Sequence, residues 1–214
     1  MKPILFLFFI LPSLLTAQQY YFPPEDFNTW ETSPYQCDSS AEAALRDFVI
    51  EKNTKAFIIL KEGKILMEGY SNDFGRDSIW YWASAGKTMT STLIGIAVND
   101  GDINIDDPTE NYLDEWTDCS QENQSKIKVR HQLTMTTGFD DAISFDCTDP
   151  SCLSCLHEPG DRWFYHNGPY TLLIDVYEAA TGQSVNAGFF ERIRNKFGMN
   201  GLFVPSANSD NMLF

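Results

Sequence analysis

One β-hairpin is all the strand pairing that this sequence announces, and a lone two-stranded ladder is not stable in water by itself. Its strands read as Ala56-Phe57-Ile58-Ile59-Leu60 and Ile65-Leu66-Met67-Glu68-Gly69-Tyr70, parted by a turn around Glu62-Gly63. Just before them, Ala41, Ala44, Leu45 and Phe48 recur at i, i+3, i+4 and i+7 behind a Ser39-Ser40-Ala41-Glu42 capping box. An amphipathic helix ending near Asn53 is therefore expected to cover one face of the hairpin.

Beyond Trp82 the pattern turns helical. Ser84 to Val98 holds no proline and stops at Asn99-Asp100-Gly101. Asp106-Asp107-Pro108 opens a short helix with proline in its first turn, and Val129 to Met135 forms another that Gly138 stops. Gly168-Pro169 starts a helix through Ala180, ended by Thr181-Gly182, and Ser184 caps a last segment running to Phe197-Gly198. The fold class is α+β: a partial antiparallel sheet with a covering helix, plus a mostly helical subdomain. The later sheet strands are missing from this layout and Ser206 to Phe214 carries no element-ending signal, so the chain reads as the front part of a longer protein.

The first residues are set apart from that fold. Lys2 precedes a run from Ile4 to Leu15 that is apolar except for Pro12 and Ser13, and Leu15-Thr16-Ala17 ends in a small residue, as a secretory signal cleaved after Ala17 would. The run is shorter than the roughly 20 residues of a spanning helix. Residues 1–17 are thus assigned as a signal peptide, 18–38 as an irregular lead-in rich in aromatics, Pro and Gln, and 39–214 as an incomplete domain. Secretion or a periplasmic location follows. Acidic side chains outnumber basic ones 30 to 15, for a net charge of −15 that becomes −16 once Lys2 is removed. That balance argues against nucleic acid and anionic membrane surfaces as partners, which need clustered Lys and Arg.

Export changes how the five cysteines read: Cys37, Cys119, Cys147, Cys152 and Cys155. In an oxidising compartment disulfides are the default, and an odd count leaves one thiol free or paired in trans. Cys147-x4-Cys152-x2-Cys155 also matches the opening of an iron–sulfur run but lacks the fourth cysteine, and three cysteines with His157 would suffice for a Cys3His zinc site. The expectation is a disulfide-stapled loop, with no metal.

Two motifs carry chemistry. In Ser84-Ala85-Gly86-Lys87, the i, i+3 spacing sets a hydroxyl and an amine on one helix face. A serine is a weak nucleophile until a base takes its proton, and a lysine serves as that base when burial and a helix N-terminus lower its pKa. The same N-terminus aims backbone N–H groups at an oxyanion. Ser125-Lys126-Ile127-Lys128 fits the pattern too and reads as an exposed polar turn. The second motif is Tyr165-His166-Asn167: a tyrosine that can pass a proton, and an asparagine that can hold a carbonyl or the lysine amine. Alone, the motif reads sooner as a core aromatic, Tyr165, and a helix N-cap, Asn167, than as a site.

Taken together, and in this order, the motifs resemble the serine β-lactamase superfamily, in particular class C β-lactamases, D-alanyl-D-alanine carboxypeptidases and family VIII esterases. The resemblance covers most of residues 50 to 205. Beside the two motifs it rests on the Ile58 to Tyr70 hairpin, Asn99 to Pro108, Val129 to Gly138, Glu158-Pro159-Gly160 and Lys196-Phe197-Gly198-Met199. It implies a β-lactamase/transpeptidase-like fold and hydrolysis through an acyl-enzyme without metal or organic cofactor. Ser84 would be the nucleophile, Lys87 its general base, Tyr165 the proton relay to the leaving group, and Asn167 the residue positioning Lys87 and the substrate carbonyl. The substrate would be a small molecule or peptide: a β-lactam, a D-alanyl peptide or a short ester, with esterase or peptidase activity expected ahead of rapid β-lactam hydrolysis.

The chain departs from the family twice. No Lys-Thr-Gly or His-x-Gly triplet follows Asn167, and Asp140 to His157 forms a cysteine-bearing insert near the expected cleft mouth. A catalytically incomplete fragment that binds peptidoglycan-like ligands is therefore the alternative reading, and a metal-bound structural domain on Cys147 to His157 a third. Of the histidines, His166 should point away from its two neighbours if the segment is extended. His131 should pack or cap, and His157 should lie exposed on a loop.

Overall fold

The structure, a computed structural model, describes residues 21–71, 73–143 and 145–204, and the backbone of 211–213. The predicted leader, residues 1–17, lies outside the described residues. The chain divides into two compact units, one ending at Gly75 and the other beginning at Arg76.

In the first unit, helix α1 (Ser39–Glu51) is capped one residue earlier than the sequence suggests. Asp38 accepts from the N–H groups of Ser40 and Ala41, at 2.9 and 3.1 Å, while Glu42 pairs with Arg46 one turn on, at 2.8 Å. Asp38 and Ser39 are both cap formers, and the carboxylate takes the place because it reaches two orphan donors at once. The helix also turns a different face inward. Glu42, Leu45, Arg46 and Val49 are half-buried, whereas Phe48 is 55% exposed. Arg46 lies over the Phe57 ring, 5.9 Å from its centroid.

Strands β1 (Ala56–Lys61) and β2 (Lys64–Tyr70) form the expected antiparallel hairpin. Glu62 and Gly63 both take positive φ, 55° and 81°, the turn geometry whose twist matches the flanking strands. A Cβ on Gly63 would stand 2.6 Å from the Tyr21 carbonyl oxygen, so only glycine fits. The lead-in is less irregular than expected. Thr32 bridges Ile65 in parallel, through Ser33 N–H to Ile65 C=O at 2.7 Å and Ile65 N–H to Glu31 C=O at 2.9 Å, which adds a rung to the pair.

The second unit is helical and built around α2 (Lys87–Asp100). Its end is where the sequence puts it: Gly101 takes φ 88° and closes the last turn. Its start differs, because Ala83–Gly86 is a 3-10 turn leading into the α-helix. Leu93, Ile94 and Ala97 of α2 pack into one core with Leu173, Val176 and Tyr177 of α6 (Leu173–Thr181) and Phe189 of α7 (Val185–Arg192). Arg192 ties α7 to Asp100 at the end of α2. Between them come α3 (Gln121–Gln124), α4 (Val129–Leu133) and α5 (Asn167–Thr171). Gln132 of α4 is buried and bridges two segments: its Oε1 accepts from Thr109 Oγ1, and its Nε2 donates to the Pro169 carbonyl, both at 2.8 Å.

A second antiparallel ladder, unannounced by the sequence, joins β3 (Leu202–Val204) to β4 (Asn211–Leu213). Three-residue strands are too short to show a period. The Asn186 side chain binds both the N–H and the C=O of Phe203, at 2.8 and 2.9 Å, which anchors β3 to α7. Among the described residues no helix is long and apolar enough to cross a membrane.

Candidate active site

Ser84 sits in the 3-10 turn, and Lys87 is the first residue of α2. In a 3-10 turn residues i and i+3 lie directly above one another, so the turn stacks the two side chains more closely than an α-helix would. Lys87 Nζ stands 3.4 Å from Ser84 Oγ. Ser84 is exposed and Lys87 half-buried. The turn is entered through Ala83 at φ 46°, a left-handed backbone that a Cβ disfavours by about 1–2 kcal/mol. Strain of this kind collects at functional turns.

Eighty residues on, Asn167 comes to the same amine, its Oδ1 accepting from Lys87 Nζ. The rings of Tyr165 and Tyr170 flank that amine, with centroids 5.5 and 5.6 Å from Nζ. The buried Tyr170 also donates its hydroxyl to the Lys87 carbonyl at 3.0 Å, and its burial pushes the phenol pKa up. His166 turns the other way, buried edge-on against Phe139 and Phe164, at 6.2 and 5.8 Å between centroids. Asn167 is the first residue of α5 rather than its N-cap, which is His166. Ser84, Lys87, Tyr165 and Asn167 are therefore brought together. Ser125 and Lys128 are not: Ser125 Oγ donates to the Glu122 carbonyl, and Lys128 faces Asp106 at 3.8 Å, both half-buried rather than exposed.

The backbone holding Tyr165 is laid along residues 135–138. Phe164 N–H donates to the Met135 carbonyl and Gly160 N–H to that of Thr136, while Leu156 and His157 both donate to Gly138. Gly138 is required there, because it takes φ 82° and a Cβ would stand 2.3 Å from the His157 carbonyl oxygen. His157 is exposed, and His131 caps α4 by accepting the Lys128 N–H on Nδ1 at 3.1 Å.

Sequence reasoning missed three neighbours of the site. Phe145 stacks on Tyr165, centroids 5.6 Å apart and planes 19° apart. Asp146 Oδ1 accepts from Asn167 Nδ2 at 2.7 Å. Tyr170 is the third, and only its place one turn beyond Asn167 hinted at it. The first two belong to the cysteine-bearing insert. Its disulfides are Cys119–Cys155 and Cys147–Cys152, with Cys37 exposed and free. Because all three insert cysteines are oxidised, the Cys3His zinc set with His157 does not form. Among the described residues no group of three or more His, Cys, Asp or Glu is placed to hold a metal ion.

The chain is similar to several known hydrolases. The chain is 30% identical over 144 residues to a D-aminopeptidase of Brucella anthropi, an alignment covering 61% of this chain and 26% of that one. It is 26% identical over 113 residues to a 6-aminohexanoate-dimer hydrolase of Paenarthrobacter ureafaciens, covering 53% and 28%. The chain thus spans about a quarter of the length of the curated relatives it matches. The fold is that of the solved β-lactamase/D-alanine carboxypeptidase from Yersinia pestis, with a TM-score of 0.57 at 19% identity over 70% of this chain and 56% of that one. The family model described as Beta-lactamase matches residues 47–211, most of the chain, and the chain belongs to that family of hydrolases.

Proposed function

We propose that the chain carries the nucleophilic centre of an exported serine hydrolase that cleaves an ester or amide by acyl transfer. The observation that carries the reading is the position of Lys87 Nζ, which lies 3.4 Å from Ser84 Oγ and at the same time donates to Asn167 Oδ1. Lys87 takes the Ser84 proton as Oγ bonds to the substrate carbonyl carbon. Tyr165, beside the same amine, relays that proton from Lys87 to the departing alcohol or amine; water then attacks the acyl-serine, its hydroxyl going to the acyl carbon and its proton back to Ser84 Oγ. Asn167 holds Lys87 and, through its amide, the substrate carbonyl. The names D-aminopeptidase and 6-aminohexanoate-dimer hydrolase among its relatives favour peptide and amide substrates over β-lactams. Cleavage after Ala17 would deliver the chain to the periplasm or the medium, and the two disulfides support an oxidising compartment.

The test is turnover of three chromogenic substrates by the full chain and by Ser84→Ala: a p-nitrophenyl ester, a D-alanyl p-nitroanilide and a cephalosporin. Release of chromophore from the ester or anilide, abolished in Ser84→Ala, is expected. Saturable binding of a D-alanyl peptide that survives Ser84→Ala, with no release from any of the three, would replace this reading with that of a non-catalytic binding module.

A further inference from the structure

The insert touches the site through Phe145, which stacks on Tyr165, and through one carboxylate, that of Asp146. Asn167 stands between Asp146, which accepts from its Nδ2, and Lys87, which donates to its Oδ1. An asparagine amide has nearly the same shape either way round, so its own covalent structure does not decide which end meets the lysine. Its neighbours decide. A carboxylate only accepts, so Asp146 draws the NH2 end and leaves the oxygen for Lys87. Turning the amide by half a rotation would set its oxygen against the Asp146 carboxylate, replacing a hydrogen bond with a repulsive contact between two acceptors.

The segment carrying Asp146 is itself held in place. The Phe145 carbonyl accepts the N–H groups of Asn167 and Gly168, at 3.0 and 3.1 Å, and the Phe145 ring stacks on Tyr165. Cys147, the next residue, is closed onto Cys152. The insert presses so closely on α5 that a Cβ on Gly168 would stand 1.9 Å from the Cys147 carbonyl oxygen. Asp146 is exposed, so its carboxylate carries little packing and its replacement leaves the fold intact.

We propose that Asp146, held by the Cys147–Cys152 loop, is a positioning residue of the acyl-transfer site: it fixes the orientation of the Asn167 amide and, through it, the place of Lys87 beside Ser84. This rests on the reading of Ser84 and Lys87 given above. The experiment is phosphonylation of Ser84 in the full chain by a fluorophosphonate, in which Oγ bonds to phosphorus as fluoride leaves, followed by intact mass over time and probe concentration, which separates the limiting rate from probe affinity. Asp146→Ala is expected to lower the limiting rate about tenfold to a hundredfold with affinity unchanged, and Asp146→Asn, which keeps an acceptor, to restore part of it. In an Asn167→Ala background the same Asp146→Ala step should change the rate by less than about threefold, since its route to Lys87 is gone. A full limiting rate in Asp146→Ala, or an undiminished further loss in the Asn167→Ala background, overturns the proposal. If the wild-type chain takes no adduct, the acyl-transfer reading is what fails, and NMR then decides the positioning role. The side-chain NH2 resonances of Asn167 should shift in Asp146→Ala and in Cys147→Ser/Cys152→Ser, and an unmoved pair overturns it.

Discussion

Removing the two disulfides one at a time is expected to separate stability from activity. Cys119–Cys155 spans 36 residues and Cys147–Cys152 spans 5. Closing loops of those lengths removes unfolded-state entropy worth about 4 and about 2 kcal/mol respectively. Both bridges pack against the same core of Trp116, Ile127, Phe139 and Leu153, with Cys152 itself buried in it, so loop length sets the difference. For a chain of this size 1 kcal/mol moves the midpoint by about 2–4 °C. Cys119→Ser/Cys155→Ser should therefore lower the Tm by roughly 8–16 °C, and Cys147→Ser/Cys152→Ser by roughly 4–8 °C. Fluorophosphonate labelling of Ser84, measured well below either midpoint, should follow the opposite order. Loss of Cys147–Cys152 frees the segment that bears Asp146 and is expected to slow labelling about tenfold, whereas loss of Cys119–Cys155 leaves that segment closed. Thermal melts and timed intact-mass labelling of the two variants read both effects, with non-reducing peptide maps confirming the pairing. Equal Tm losses, a larger loss from the short loop, or a Cys152–Cys155 peptide in the map would refute the reasoning.

Three further outcomes are expected. Gln132→Leu strands the Pro169 carbonyl and the Thr109 hydroxyl in the interior, and should lower stability by about 2–3 kcal/mol, read as a shifted urea midpoint with unchanged slope. Ala83→Gly relieves the left-handed strain before Ser84 against the added freedom of glycine in the unfolded chain, for a net gain of about 0.5–1 kcal/mol in thermal unfolding. His131 has its pKa lowered by burial, then by the charges of Lys128 and Arg130, against an opposing pull from Asp106, and its Nδ1 must stay unprotonated to accept the Lys128 N–H. A histidine depressed in the folded state contributes stability that is complete above its unfolded pKa of about 6.5 and falls away as pH drops through the folded value. Melts from pH 7.5 to 5 should show that loss in wild type and its absence in His131→Gln.

What could be read from the sequence, and what could not, follows from the range of each signal. Gly101 ends α2 where expected because a left-handed C-cap needs glycine, a purely local requirement. The hairpin was equally legible, since Glu62-Gly63 and the flanking apolar runs are contiguous. Spacing alone did not single out Ser84 and Lys87, since Ser125 and Lys128 share it; the family resemblance of the motifs taken in order did, for Tyr165 and Asn167 as well. The inward face of α1 was misread by one position, because Ala44 and Phe48 compete with Leu45 and Val49 and only packing chooses between them. The Asp146–Asn167 bond spans 21 residues, and the Tyr170–Lys87 bond spans 83, and neither leaves a periodic trace. Disulfide partners were likewise hidden: neighbourhood in sequence would have joined Cys152 to Cys155, whereas the fold sends Cys155 to Cys119.

The central claim is that Lys87 activates Ser84, and fluorophosphonate labelling of the full chain followed by intact mass tests it most directly. A single adduct mapped to Ser84, absent in Ser84→Ala and formed at least about a hundredfold more slowly in Lys87→Ala, is the predicted result. A chain that melts cooperatively yet takes no adduct, or one that Lys87→Ala labels at the wild-type rate, would contradict it.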